Sequence, residues 1–254
     1  MRFLLSGFVI LIWAKYRKIS LIPTKQELSP LIQLGILFSV QLLFLNYGIS
    51  KTSVASSVVL NSTYPIWVIT LGHFFIKGDS LNKFKLIGVL IAYAGIVVTY
   101  VDSFGNSDFL IGNSLCLVSG FLLGVRSIFL AKNSESIAPL KLLASQAAFG
   151  TVVFLILSLL IETDPYRMSI ILITSIIYQG AIVAGFNFIA NIWLLKTYKP
   201  SQVVVIHLSQ PIFGIFIGKI VLHEAIGSTV ILGTILIILG SILVRKNENY
   251  KISK

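Results

Sequence analysis

The chain has 254 residues, of which 56% are hydrophobic and only 11% are charged, and its formal net charge is +11. About a quarter of the residues in a soluble domain are charged, so this composition excludes a cytosolic enzyme and a nucleic-acid binder and indicates an integral membrane protein. The one cysteine, Cys116, cannot form an internal disulfide or a thiolate metal site, and no metal or other cofactor is expected.

The chain contains nine apolar runs, and most of them are close in length to the roughly 20 residues that a helix needs to cross a bilayer. The runs are continuous and do not alternate with period two, which favours helices over a transmembrane barrel. They cover residues 1–13, 28–47, 54–76, 84–101, 109–131, 142–161, 168–195, 201–222 and 226–244. The sequence therefore predicts an all-α polytopic membrane protein with about nine transmembrane helices.

Basic residues lie unevenly between the loops that these nine runs define. Fifteen of the twenty Lys and Arg residues fall on one side when the loops are assigned alternately to the two faces of the membrane. Because cytoplasmic loops carry the excess of Lys and Arg, this side is predicted to be cytoplasmic, together with a tail of residues 245–254. We expect a prokaryotic plasma (inner) membrane. We interpret the positive charge as a sign of membrane topology. It is dispersed over the loops and is not gathered on one face that could bind nucleic acid.

The chain matches itself when it is shifted by 145 or 146 residues. The matched pairs keep their order: Asn46 with Asn191, Pro65 with Pro211, Asp79 with Glu224, Gly88 with Gly233, and Gly95 with Gly240. Polar, proline and acidic matches in one frame indicate a duplication, a common architecture of transporters.

The two predicted repeats have opposite orientation in the membrane, because residues 54–76 run inward whereas their partners at 201–222 run outward. The first repeat, residues 1–101, contains four of the runs and the second, residues 109–244, contains five. Symmetry predicts a further helix before Met1. Inverted repeats are the geometry of alternating access.

The stretches 45–98 and 194–244 resemble the EamA-like family of the drug/metabolite transporter superfamily. In that family each half typically ends with a proline-containing helix, a short acidic turn, and a helix with two glycines seven residues apart. Here these are Pro65, Asp79, Gly88 and Gly95 in the first half, and Pro211, Glu224, Gly233 and Gly240 in the second.

The resemblance implies a bundle of ten helices, here lacking its first, that moves small metabolites and often exports them. We therefore predict outward transport of amino-acid-like or other small polar or amphipathic solutes, by alternating access between the repeats. The alternative is an inactive or partial product of an N-terminally truncated gene. The chain lacks the recognisable catalytic motif, such as HExxH, that an intramembrane enzyme would show. It also lacks the repeated filter or charged ring that is expected of a channel.

Polar side chains inside the predicted helices are the candidate solute-binding residues, since polar atoms in hydrocarbon need partners or a cavity. Two groups precede the matched prolines: Asn61, Thr63 and Tyr64 before Pro65, and His207, Ser209 and Gln210 before Pro211. Interruptions in corresponding positions of two halves mark transporter sites. The alternative is that these side chains only satisfy the interrupted backbone. Further candidates are Gln41, Gln146, Tyr178, Gln179 and Asn187.

Arg126 lies about five residues from the predicted cytoplasmic end of its helix. It either binds an anionic group, such as a substrate carboxylate, or snorkels to the interface. No catalytic residue is predicted.

Structural roles are predicted for the other matched positions of the two repeats. Asp79 and Glu224 are expected to satisfy free amides at helix N-termini. The glycine pairs are expected to let two helices pack closely, against each other or against a second protomer in a homodimer. The expected partners are thus the lipid bilayer and a small solute.

Overall fold

The computed structural model describes residues 1–75, 83–101, 106–134, 136–161, 169–186, 190 and 210–246. These residues form helices, turns and connections, without a β-strand among them. In chain order the helices are α1 (Arg2–Tyr16), α2 (Lys25–Ile49), α3 (Val54–Asn61), α4 (Tyr64–Phe75), α5 (Lys83–Tyr100), α6 (Ser107–Asn133), α7 (Pro139–Ile161), α8 (Ile170–Ile177), α9 (Gln210–Ile220) and α10 (Ser228–Lys246). A π-helical segment, Tyr178–Phe186, continues α8.

Five described segments are long and apolar enough to cross a membrane: α2, α3 together with α4, α5, α6 and α7. Shorter apolar helices lie in the later part of the chain, and every one of the nine predicted runs contains a described helix. Large apolar side chains such as Leu159 and Ile170 are exposed, as lipid-facing residues are. The prediction of an all-α polytopic membrane protein is confirmed.

Two of the predicted runs differ from a single continuous α-helix. Run 54–76 is broken at Ser62 and Thr63 into α3 and α4, and Pro65 becomes the second residue of α4. Proline is tolerated in a first helical turn because its missing N–H would have no partner there. In run 168–195 the α-helix gives way to the wider π-helix at Tyr178.

The described helices belong to two compact units. One comprises Met1–Val40 and Phe129–Tyr198, and the other comprises Gln41–Ile128 and Lys199–Lys254. Each unit draws on both predicted repeats, so compactness does not follow the repeat boundary. The division into repeats stays a prediction from the sequence.

In the first unit, α1 packs against α7 and against the π-helical segment. Gly180 and Gly185 of that segment let Leu5 and Val9 of α1 approach closely. Ile10 and Ala14 are buried against Leu140 and Ala147 of α7, and the Phe3 ring meets the rings of Phe38 and Phe154 at 5.5 Å.

An ion pair joins the beginnings of α2 and α7 in the same unit. The Glu27 carboxylate accepts from the Thr24 N–H at 2.7 Å, which is the reciprocal bond of a capping box, and from Lys141 Nζ at 2.8 and 2.9 Å. Both side chains are largely shielded from solvent. This contact fixes where the two helices start relative to each other.

The second unit is built around close backbone contact between α5 and α10. A Cβ on Gly95 would lie 2.7 Å from the Gly233 carbonyl oxygen, and one on Gly240 would overlap the Gly88 carbonyl oxygen. The glycine stripes predicted from the sequence therefore face each other within one chain. Val89, Ala92, Ile96, Val230 and Ile237 complete the buried core of this pair.

Candidate functional site

The break between α3 and α4 places polar side chains at a helix end in the second unit. Ser53 caps the start of α3 by accepting from the Ser56 N–H at 3.1 Å, and α3 ends at Asn61. Continuing the helix past Asn61 would be unfavourable, because Pro65 has no N–H to donate to the Asn61 carbonyl. Thr63 donates twice to the Leu60 carbonyl, from Oγ1 at 2.6 Å and from its backbone N–H at 3.2 Å, and these two bonds close the turn at the break.

Helix α9 runs antiparallel to α3, and its second residue is Pro211, just as Pro65 is the second residue of α4. Two small residues one turn apart, Gly214 and Gly218, lie against Val58 and Ala55 respectively. This small-xxx-small spacing lets helix backbones approach in a membrane. The close approach brings Gln210 to the end of α3 that carries Asn61.

A cavity of about 400 Å³ lies where these helices meet, and we name it the Asn61 cavity. Its polar lining consists of Ser57, Asn61, Ser62 and Gln210, and its apolar lining includes Leu45, Val58 and Phe213. A mostly apolar cavity with a few convergent polar groups is the usual form of a small-molecule site. The lining contains no charged side chain among the described residues.

A buried hydrogen-bond network orients Asn61. Gln41 Nε2 donates to Ser119 Oγ at 2.8 Å, and the Ser119 hydroxyl lies 3.0 Å from Asn61 Oδ1 and 3.1 Å from the Gln41 carbonyl oxygen, its two acceptors. With Oδ1 directed at α6, the Asn61 amide nitrogen makes no hydrogen bond within the described part of the chain. It is the natural donor to a solute carbonyl or hydroxyl in the cavity.

Two other predicted residues, one in the break between α3 and α4 and one on α6, take different places. Thr63 is fully buried, and its hydroxyl also accepts from Trp67 Nε1 at 3.2 Å, so it holds the helix break together. Arg126 has Tyr64 as an electrostatic neighbour, and its Nε and Nη1 atoms are buried. Snorkelling would instead carry the guanidinium to the membrane interface.

Predicted site residues in the first unit differ in their contacts. Gln146 is buried and donates to the Leu142 carbonyl of its own helix at 3.1 Å. Gln179 accepts from Arg2 Nη1 at 3.1 Å, and Tyr178 is exposed. Four predicted residues lie outside the described part of the chain: Asp79, Asn187, His207 and Ser209.

The sequence reasoning missed Ser57 and Ser119, which line the cavity or orient Asn61, and the glycines that seat α9 on α3. The spacing of Gly214 and Gly218 was a readable signal for helix contact. Serines are common in membrane helices and bond their own backbone, so nothing in the sequence distinguished Ser119.

A second cavity, of about 630 Å³, lies at the other end of α3, and we name it the Lys51 cavity. It is lined by the connection from α2 to α3, the start of α6 and the turn before α10. Lys51 Nζ lies 3.0 Å from Asp108 Oδ1, and this hydrogen bond raises the pKa of Lys51 above its ordinary value. Lys51, Asp108 and Glu224 all fall on the predicted non-cytoplasmic side, and all three line this one cavity.

An interrupted apolar helix and a mostly apolar cavity with a few polar groups between apolar helices are features of a membrane transport protein. The model of the EamA-like transporter family matches residues 1–101 and 110–246. The chain belongs to the EamA-like transporter family, as its repeated proline, acidic and glycine positions predicted.

Relatives of the chain carry the same general description. An uncharacterized transporter of Bacillus subtilis, YoaV, is 25% identical over 235 residues, covering 91% of this chain and 80% of its own length. An uncharacterized transporter of Clostridium kluyveri is 24% identical over 253 residues, with 95% and 80% covered. A protein of known crystal structure shares the fold with a TM-score of 0.69 at 15% identity, covering 96% of this chain and 85% of its own.

Proposed function

We propose that the protein is a carrier that exports small polar or amphipathic metabolites, such as amino-acid-like compounds, across a prokaryotic plasma membrane. The two predicted inverted repeats exchange conformations, so that the solute cavity opens to each side in turn. One observation carries the proposal. The break between α3 and α4 and the start of α9 bring Asn61 and Gln210 to one cavity.

The cavity lining supports this class of solute. Apolar side chains provide area for burying hydrocarbon, and the amides of Asn61 and Gln210 match hydroxyl, carbonyl or amide groups of a solute. An uncharged lining disfavours a bare ion, because an isolated charge is costly to bury.

Transport by purified protein in liposomes tests the proposal. Vesicles are loaded with a mixture of radiolabelled neutral amino acids, and efflux is followed as the internal concentration is raised. A carrier gives saturable flux, whereas flux that rises linearly without saturation contradicts the proposal. We also propose that the C-terminus lies on the cytoplasmic side of the membrane.

Substitution of Gln210 tests whether the solute binds in the Asn61 cavity. We expect Gln210→Ala to lower transport by about two- to tenfold, the effect of losing one hydrogen bond. Arg126→Ala tests in the same assay whether that side chain assists an anionic solute. The matched control is Gln33→Ala, because Gln33 is an exposed glutamine on α2. Equal flux in the Gln210→Ala and Gln33→Ala variants would remove Gln210 from the site.

A further inference from the structure

The turn between α9 and α10 delivers a carboxylate to the start of another helix. Glu224 Oε1 accepts from the Val54 N–H at 2.8 Å, and Oε2 accepts from the Ala55 N–H at 3.1 Å. These are two of the first amides of α3, which have no partner inside the helix. A carboxylate is also favoured there by the helix dipole.

The backbone of the turn holds the carboxylate in this place. His223 adopts a left-handed conformation with φ of 54°, which is uncommon for a residue with a side chain. The Glu224 N–H then donates to the Gly218 carbonyl oxygen at 2.9 Å. A Cβ on Gly218 would lie 2.9 Å from Glu224 Oε2, so a larger residue here would displace the carboxylate.

The bond of Glu224 to α3 lies between the two cavities. Going along the seam of α3 and α9, Val58 meets Gly214, Ala55 meets Gly218, and the α3 amides meet Glu224. Ser57 and Val58 line the Asn61 cavity on one side of this contact. Ala55, Ser56 and Glu224 line the Lys51 cavity on the other.

We infer that Glu224 is the latch that closes the Asn61 cavity on the predicted non-cytoplasmic side, by tying the start of α3 to the end of α9. The inference rests on the proposed function, since a latch matters only for a cavity that opens. Parting α3 from α9 at this end breaks both hydrogen bonds of the carboxylate and joins the Asn61 cavity to the Lys51 cavity. No other described side chain bridges the α3 amides to the turn after α9.

Accessibility of a single cysteine at a buried position of the Asn61 cavity measures the latch directly. The native cysteine is buried, and Cys116→Ala removes it. Ser57→Cys then places a near-isosteric reporter on a fully buried residue that lines the Asn61 cavity. Intact cells are treated with a membrane-impermeant methanethiosulfonate reagent, and the rate of modification is compared with and without Glu224.

We expect Glu224→Ala and Glu224→Gln to increase the rate of modification from outside by about tenfold or more, a change that corresponds to about 1.4 kcal/mol. The glutamine variant keeps the size of the side chain, but its NH₂ group cannot accept from an α3 amide. Monodisperse elution in detergent verifies that each variant is folded.

Two control variants separate a latch from simpler effects. Asp108→Asn removes a carboxylate from the same Lys51 cavity that does not bond to α3, and its rate should stay at the parent value. Ser53→Ala removes the other cap of α3 and leaves Glu224 in place. An increase in Ser53→Ala equal to that in Glu224→Ala would mean fraying of α3 and would overturn the latch.

The latch and the carrier fail in different ways. Unchanged modification in both Glu224 variants overturns the latch, even where the liposomes show saturable transport. Glu224-dependent modification without saturable flux retains the latch and refutes the proposed carrier function. An increase that occurs only from the cytoplasmic side places the contact at the opposite face and also overturns the inference.

Discussion

Ser119 is the residue on which the geometry of the Asn61 cavity depends. Its hydroxyl joins Gln41 on α2 to Asn61 at the end of α3, and all three groups are at least partly buried. A buried donor or acceptor that loses its partner costs more than a hydrogen bond contributes, because the group stays desolvated.

We expect Ser119→Ala to destabilise the protein by about 1–3 kcal/mol, since Gln41 Nε2 and Asn61 Oδ1 would both lose a partner. Thermal unfolding of the detergent-solubilised protein, followed by tryptophan fluorescence, measures the change. The control is Ser127→Ala on the same helix, because the Ser127 hydroxyl bonds only to the Leu123 carbonyl one turn away. Equal destabilisation of the two variants would show that the network does not matter.

At the scale of the helices, α5 and α10 pack with almost no side-chain space between their backbones. The approach depends on glycine on both helices, and Thr99 fills the space beside Gly233. In a membrane, where apolar side chains gain little from leaving lipid, such close van der Waals packing is a main source of helix association.

Gly240→Ala should therefore destabilise the protein by about 1–3 kcal/mol, the cost of overpacking a tight contact. The matched variant is Gly7→Ala on α1, where a Cβ would meet only Ala147 Cβ at 4.0 Å. There we expect no loss, or a gain of about 0.5–1 kcal/mol from the better helix propensity of alanine. Unfolding midpoints of both variants test this, and a stable Gly240→Ala variant would contradict the tight packing.

The sequence predicted the interrupted helix and the glycine stripes because proline and glycine act through their own backbones. Pro65 has no N–H to bond to the preceding turn and so weakens a helix before it, and Gly88 and Gly95 mark one helical face by their spacing alone. The two donors to the Glu224 carboxylate could not be predicted, because the N–H groups of Val54 and Ala55 lie 170 and 169 residues away in sequence. Gln146 could not be distinguished from a site residue, because the sequence does not show whether a glutamine in a helix bonds its own backbone or faces a cavity.

At the scale of the whole molecule, the distribution of charge predicts how the chain is oriented in the membrane. The excess of Lys and Arg on one set of loops predicts that the C-terminus is cytoplasmic. A fluorescent protein that folds only in the cytoplasm, fused after Lys254, should be bright. The same protein fused to a chain that ends at Asn106 should stay dark, and the opposite pattern would reverse the predicted topology.

The two compact units also set the order in which the protein is able to fold during synthesis. Met1–Val40 is completed by Phe129–Tyr198, and Gln41–Ile128 is completed by Lys199–Lys254. On the ribosome, each early segment emerges before the segment that completes its unit. Helix α5 meets α10 only when almost the whole chain has been translated, so its insertion into the bilayer and its close packing are separate events in the life of this chain.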